Sequence, residues 1–241
     1  MTTLVRTELR LFARDPMNAL FGILLPSVLL LGLGAVPALR EPADVFGGLR
    51  FTEYFAPSLL AVSIAVLGVQ GFPVALATYR EKGILRRLAV TPVRPVTVLV
   101  AQLLINTAAA LLGALLIVAV AVAVLDVPAP RHPVAFAVAL LVGTAAVFSL
   151  GLVVAAFAPR ARTATTIGTV LFMLTQFFAG VYLPKFLLPD AVVAIGEFVP
   201  PGTATLAAAW TGDGPDPLRT AVLALIAVVA TATAARFFRW E

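Results

Sequence analysis

Tyr79-Arg80-Glu81-Lys82-Gly83-Ile84-Leu85-Arg86-Arg87-Leu88-Ala89-Val90-Thr91-Pro92 is a basic, helix-forming patch lodged between two apolar segments. Those segments, about 53–78 and 96–125, are each long enough to cross a bilayer, which takes roughly 20 apolar residues. Charge gathered there, in a chain with only 12% charged residues, marks a water-facing surface between two membrane spans. A docking surface in a membrane protein without machinery of its own implies a partner that supplies the work.

Working outward, 61% of the 241 residues are hydrophobic. Soluble domains carry about a quarter charged residues, so this composition excludes a soluble globule. The expected fold is an all-α integral membrane protein, with residues 1–241 as a single transmembrane domain. Six spans are expected at about 18–39, 53–78, 96–125, 134–158, 164–183 and 218–236. The third is longer than a bilayer needs and is expected to tilt or project. Pro26 kinks the first, which requires a neighbouring helix to satisfy the freed carbonyl.

Two further segments frame the spans. In residues 2–15, Arg6, Arg10 and Arg14 share one helical face, while Leu4, Val5, Leu9, Leu11, Phe12 and Ala13 occupy most of the rest. Glu8 intrudes on the apolar side. The segment reads as an interfacial helix on the cytoplasmic leaflet, the alternative being a merely basic tail. The apolar run from about Met17 to Leu39 is too long for a signal-peptide core. In 184–210, Pro184, Pro189, Pro200, Pro201 and Gly202 punctuate two apolar stretches, Ala191–Ile195 and Thr203–Trp210, each too short to span. This region either re-enters the outer leaflet as two short helices or lies flat on the membrane as a loop.

Basic residues orient the chain. With the N-terminus inside, twelve Lys and Arg fall on the cytoplasmic side and five outside, so both termini are expected in the cytoplasm. The net charge of +5 is accounted for by residues flanking the spans, where they meet anionic head groups, and nucleic acid is not expected. The 15 Arg against 2 Lys, with abundant Ala, Val and Pro, suggest a GC-rich bacterial coding sequence and hence the bacterial cytoplasmic membrane.

Much chemistry lacks material. There is no cysteine and no Gly-Lys-Ser/Thr phosphate loop. The one histidine, His132, sits in a short loop between Pro130 and Pro133. No catalytic residue, metal site or cofactor is expected in this chain. No ionisable residue falls well inside a span, and Glu53 lies at an edge, which argues against a proton-driven carrier. Gln70, Asn106, Thr175 and Gln176 are polar groups at depth. They are either interhelical glue, worth about 0.6–2 kcal/mol each, or the lining of a substrate path.

The chain resembles the permease subunits of ABC-2-type exporters, the class that includes daunorubicin-resistance-type drug efflux and polysaccharide export permeases. Two motifs carry the resemblance. One is Arg80-Glu81-Lys82-Gly83-Ile84-Leu85-Arg86-Arg87-Leu88 leading to Thr91-Pro92, with Ile84 where the family usually has Thr. The other is Phe178-Ala179-Gly180 running to Pro184, Leu188-Pro189 and Pro200, with Val199 where the family often has Asn.

The resemblance implies that 79–92 is a coupling helix seated in a groove of a separate ABC ATPase subunit, which binds Mg-ATP. Arg80, Glu81, Gly83, Leu85, Arg86, Arg87, Leu88, Thr91 and Pro92 are its candidate coupling residues. Gly83 permits close backbone approach, Leu85 and Leu88 pack, and Arg86 and Arg87 meet acidic groups. It further implies a homodimer, or a heterodimer with a paralogue. A hydrophobic drug, lipid or lipid-linked glycan would pass along spans two and five, with Gln70, Thr175 and Gln176 as candidate path residues. The rival reading is a membrane scaffold or regulatory protein that docks a cytoplasmic partner without transport.

Overall fold

The computed structural model describes residues 6, 9, 10, 12, 16–84 and 95–237. Among the described residues the ordered elements are helices, with one isolated bridge between Ala43 and Leu49. Helix α1 runs through Pro16–Ala19, a π turn at Leu20–Leu24, and Leu25–Gly34. Helix α2 runs through Phe51–Ala65, a π segment at Val66–Gly71, and Phe72–Glu81. Then come α3 (Pro95–Val124), α4 (Pro133–Phe157), α5 (Ala161–Phe178), α6 (Asp190–Gly196), α7 (Thr203–Trp210) and α8 (Pro217–Phe237).

Four of these are long and apolar enough to cross a membrane: Phe51–Glu81, Thr97–Val124, Pro133–Phe157 and Pro217–Phe237. The apolar stretch of α1, Leu20–Gly34, is shorter. Helix α5 dilutes its apolar residues with Thr163, Thr165, Thr166 and Thr169. The chain is therefore an all-helical, multi-pass membrane protein. Two expected boundaries move. Helix α1, expected as the first span, ends at Gly34 rather than 39, because Val36 precedes Pro37 and is held extended (φ −82°, ψ 115°). Helix α5, expected as the fifth span, ends at Phe178 rather than 183. Gly180 turns left-handed (φ +78°), and the Val181 N–H closes back on the Gln176 carbonyl at 3.1 Å.

Helix α2 is the axis of the bundle: 83% of its span is buried, against 17% for α8, which lies on the outside against α4. Its first turn is capped by Glu53, whose carboxylate accepts the Arg50 N–H at 3.1 Å. Around it pack α1, α3, α4, α5 and α7.

Both π segments sit just before a proline, and the reason is the missing donor. In α1 the Leu25 N–H reaches back five residues to the Leu20 carbonyl, and Pro26 follows. In α2 the Phe72 N–H reaches back to Leu67, and Pro73 follows. Each proline deprives the carbonyl four residues earlier of its α-helical donor. The Gly22 carbonyl is claimed by the Ser63 hydroxyl of α2 at 2.5 Å. The sequence expectation for Pro26, a freed carbonyl satisfied by a neighbour, is met here by Ser63. The Val69 carbonyl faces Gly168 of α5, and the adjacent Gly68 carbonyl faces Gly151 of α4. At both glycines an added Cβ would overlap the oxygen, so only a bare backbone lets α4 and α5 approach this closely.

Opposite the Arg80 end of α2, α7 folds back into the bundle. Leu206, Ala209 and Trp210 join the core with Leu59, Leu60 and Phe136. The Trp210 indole stands edge-on to Phe136 and donates to the Pro128 carbonyl at 2.9 Å. The apolar stretches 191–195 and 203–210 are helices, as one of the two sequence readings has it. Helix α6 stays near the surface, with Ile195 exposed.

Candidate functional site: the Arg80 end of α2 and the α2–α5 cleft

The expected interfacial helix over 2–15 is described only at Arg6, Leu9, Arg10 and Phe12, which are helical. Arg6 and Arg10 are exposed, and Phe12 packs against the cluster around Leu67, Phe72 and Leu76. Of the expected coupling segment 79–92, residues 79–84 are described. Leu85, Arg86, Arg87, Leu88, Thr91 and Pro92 lie outside the described residues.

Helix α2 ends at Glu81. Gly83 terminates it in the left-handed region (φ +66°), its N–H bonding the Arg80 carbonyl at 2.9 Å. Nothing in the chain lies within 4 Å of where its Cβ would be. Within the fold, then, Gly83 is needed for its backbone angle; no element of this chain crowds it.

Arg80, half-buried, and Glu81, exposed, both bond back to other helices of this chain. Arg80 Nη1 donates to the carbonyls of Ala155 (2.9 Å) and Ala158 (2.8 Å), at the C-terminal end of α4. The Glu81 carboxylate accepts the Ala161 N–H, the first of α5, at 3.0 Å. Helix ends leave such carbonyls and amides unpaired and carry partial charges, negative at the C-terminus and positive at the N-terminus. A cation on the end of α4 and an anion on the start of α5 match both. Arg160, the residue before α5, makes no side-chain cap of its own, so Glu81 supplies the cap from another helix.

Directly above this pair opens a cleft of about 500 Å³. Gln70, Gly71, Val74, Ala75, Thr78 and Tyr79 of α2 form one wall, and Thr165 and Thr169 of α5 the other. Its polar groups are neutral amide and hydroxyls. Thr78 and Thr165 each donate to a carbonyl one turn back, at 2.7 and 3.0 Å. Gln70, one of the candidate path residues, lines the cleft. Thr175 and Gln176 sit about two turns further along α5 and are buried. There Gln176 Nε2 donates to the Thr175 hydroxyl at 3.2 Å, which donates to the Phe172 carbonyl at 2.9 Å. Asn106 is also buried, donating to the Gln102 carbonyl at 2.9 Å. The three candidate path residues are therefore not brought together.

Sequence reasoning missed Tyr79, Thr165 and Thr169 as cleft walls, and Ser58, whose hydroxyl donates to the Ala179 carbonyl at 2.7 Å. The spacing of Thr165 and Thr169, four apart on one face of an apolar segment, was the available signal.

A helical bundle with four helices long and apolar enough to cross a membrane, and a neutral polar cleft between α2 and α5, is that of a multi-pass membrane protein. A family model described as ABC-2 type transporter matches residues 1–204, and the chain belongs to that family. No curated protein matches the chain.

Proposed function

We propose that this chain is the membrane-spanning permease subunit of an ATP-driven exporter and that a separate ABC ATPase subunit, carrying Mg-ATP, docks on the segment 79–92 through its residues from Lys82 onward. The observation that carries the reading is the α2–α5 cleft, which runs down to the start of that segment. In this reading α1, α2, α3, α4, α5 and α8 are six spans, α6 and α7 form the re-entrant region, and both termini face the bacterial cytoplasm. Two copies, or one copy and a paralogue, bring their clefts together. The substrate is a hydrophobic drug, lipid or lipid-linked glycan. The neutral hydroxyls and amide of the cleft suit a molecule that carries hydrogen-bonding groups on an apolar body.

The experiment is reconstitution with the ATPase into proteoliposomes. Daunorubicin, a fluorescent phospholipid and a lipid-linked sugar serve as probes, with an uncoupler present and ATP maintained. ATP-dependent movement of at least one probe is expected, unaffected by the uncoupler. Binding of the ATPase with no movement of any probe favours the scaffold reading instead.

A further inference from the structure

We infer that Arg80 and Glu81 are positioning residues that lock α2 to the α4–α5 connection, so that the coupling segment drives both walls of the cleft as one body. The inference rests on the proposed function and adds a route for the force. Its geometry is a set of three ties between α2 and α5. At one end, the Ser58 hydroxyl holds the Ala179 carbonyl just past α5. In the middle, the Val69 carbonyl is seated on Gly168. At the other end, Glu81 holds the Ala161 N–H. Arg80, one residue earlier, adds the end of α4 through Ala155 and Ala158.

The choice of ion at each position is what makes this a clamp rather than a chance contact. Arg80 meets carbonyls and Glu81 meets an amide, each matching the partial charge of the helix end it touches. A hydrogen bond in which one partner is ionised is about twice as strong as a neutral one. The two residues sit between Thr78-Tyr79, which line the cleft, and Lys82-Gly83, which begin the turn into the coupling segment. A displacement of that segment is therefore delivered to α2, to the end of α4 and to the start of α5 together. With α2 and α5 tied at three levels, the cleft moves without its two walls parting. A path that opens and closes must then do so between this unit and whatever faces the cleft.

The test uses the full chain with Arg80→Ala, Glu81→Ala and the conservative pair Arg80→Lys and Glu81→Gln. In the permease alone, amide exchange at 158–163 is expected to quicken for the alanine variants and to be partly restored by Lys and Gln. With the ATPase present, the alanine variants are expected to bind it within about twofold of the parent. Movement per ATP hydrolysed, read with a probe the parent moves, is expected to fall roughly tenfold, as for loss of one charge-assisted hydrogen bond. Unchanged exchange at 158–163 overturns the clamp. So does loss of ATPase binding as large as that of an Arg86→Glu/Arg87→Glu variant, which would make Arg80 and Glu81 contacts with the ATPase. If the parent itself binds no ATPase, the proposed function fails, and the exchange result alone decides the clamp.

Discussion

Gly168 of α5 lies against the carbonyl of Val69, the oxygen four residues before Pro73. The proline withholds a donor, the π segment reshapes the backbone around the gap, and a glycine on the next helix closes over the exposed oxygen. The close approach of α5 to the axis of the bundle depends on that sequence of causes.

Gly168→Ala is therefore expected to destabilise the protein, by about 1–3 kcal/mol, because its Cβ would overlap a backbone oxygen that has no room to retreat. Gly32→Ala is the matched control. Nothing lies within 4 Å of the Cβ it would add, and alanine favours the helix by roughly 0.5–1 kcal/mol. Thermal unfolding in detergent should show a lower Tm for the first and an unchanged or higher Tm for the second.

Ser63→Ala removes the donor that satisfies the Gly22 carbonyl below Pro26. The expected loss is about 1–3 kcal/mol, the penalty for a buried acceptor left without a partner. Replacement by valine should be worse, since Gly113 already lies 2.5 Å from the Ser63 hydroxyl when given a Cβ. The same thermal measurement checks both.

The architecture was legible where composition and periodicity speak. Four of the six expected spans are helices long and apolar enough to cross a membrane, and the break at Pro200-Pro201-Gly202 separates two short helices, as one of the two readings of 184–210 has it. What was not legible depends on the partner of each group. Arg80 and Glu81 were read as coupling residues on the family resemblance, since their place beside a span shows only that they meet water or protein. Their attachment to Ala155, Ala158 and Ala161 needs the three-dimensional path of α4. Thr175 and Gln176 were read as polar groups at depth, and they are; which way they turn on α5 decides that they miss the cleft. The end of α5 was misjudged by reading through Gly180, whose positive φ stops the helix.

Lys185 gives a pH signature. Burial lowers its pKa from the usual 10.5, Glu197 partly opposes this, and Arg219 adds to it. Arg219 is itself paired to Glu197 at 2.9 Å and to Asp216 at 3.7 Å. The folded protein then releases the lysine proton at lower pH than the unfolded chain. Below the folded pKa the charged lysine opposes folding, and that opposition fades as pH rises toward 10.5. Lys185→Met should raise stability at neutral pH and flatten its rise on the alkaline side. A parallel pH profile in parent and variant would contradict this.

Topology is testable because the chain has no cysteine. Lys82→Cys should react with an impermeant thiol reagent only after the membrane is opened, and Asp44→Cys in intact cells. Lys82 and Asp44 are both exposed in the fold, so in cells that lack the ATPase failure to label reflects sidedness rather than burial. Labelling of Lys82→Cys from outside would reverse the orientation.

The central claim is that residues 79–92 dock an ATPase. Its most direct test is a photo-crosslinking amino acid at Leu88, activated in intact cells, with the adduct identified by mass spectrometry. The account predicts a covalent adduct with a subunit bearing a nucleotide-binding phosphate loop, lost when Arg86→Glu and Arg87→Glu are combined. Adducts to lipid alone, from a permease shown to be inserted and folded, would contradict it.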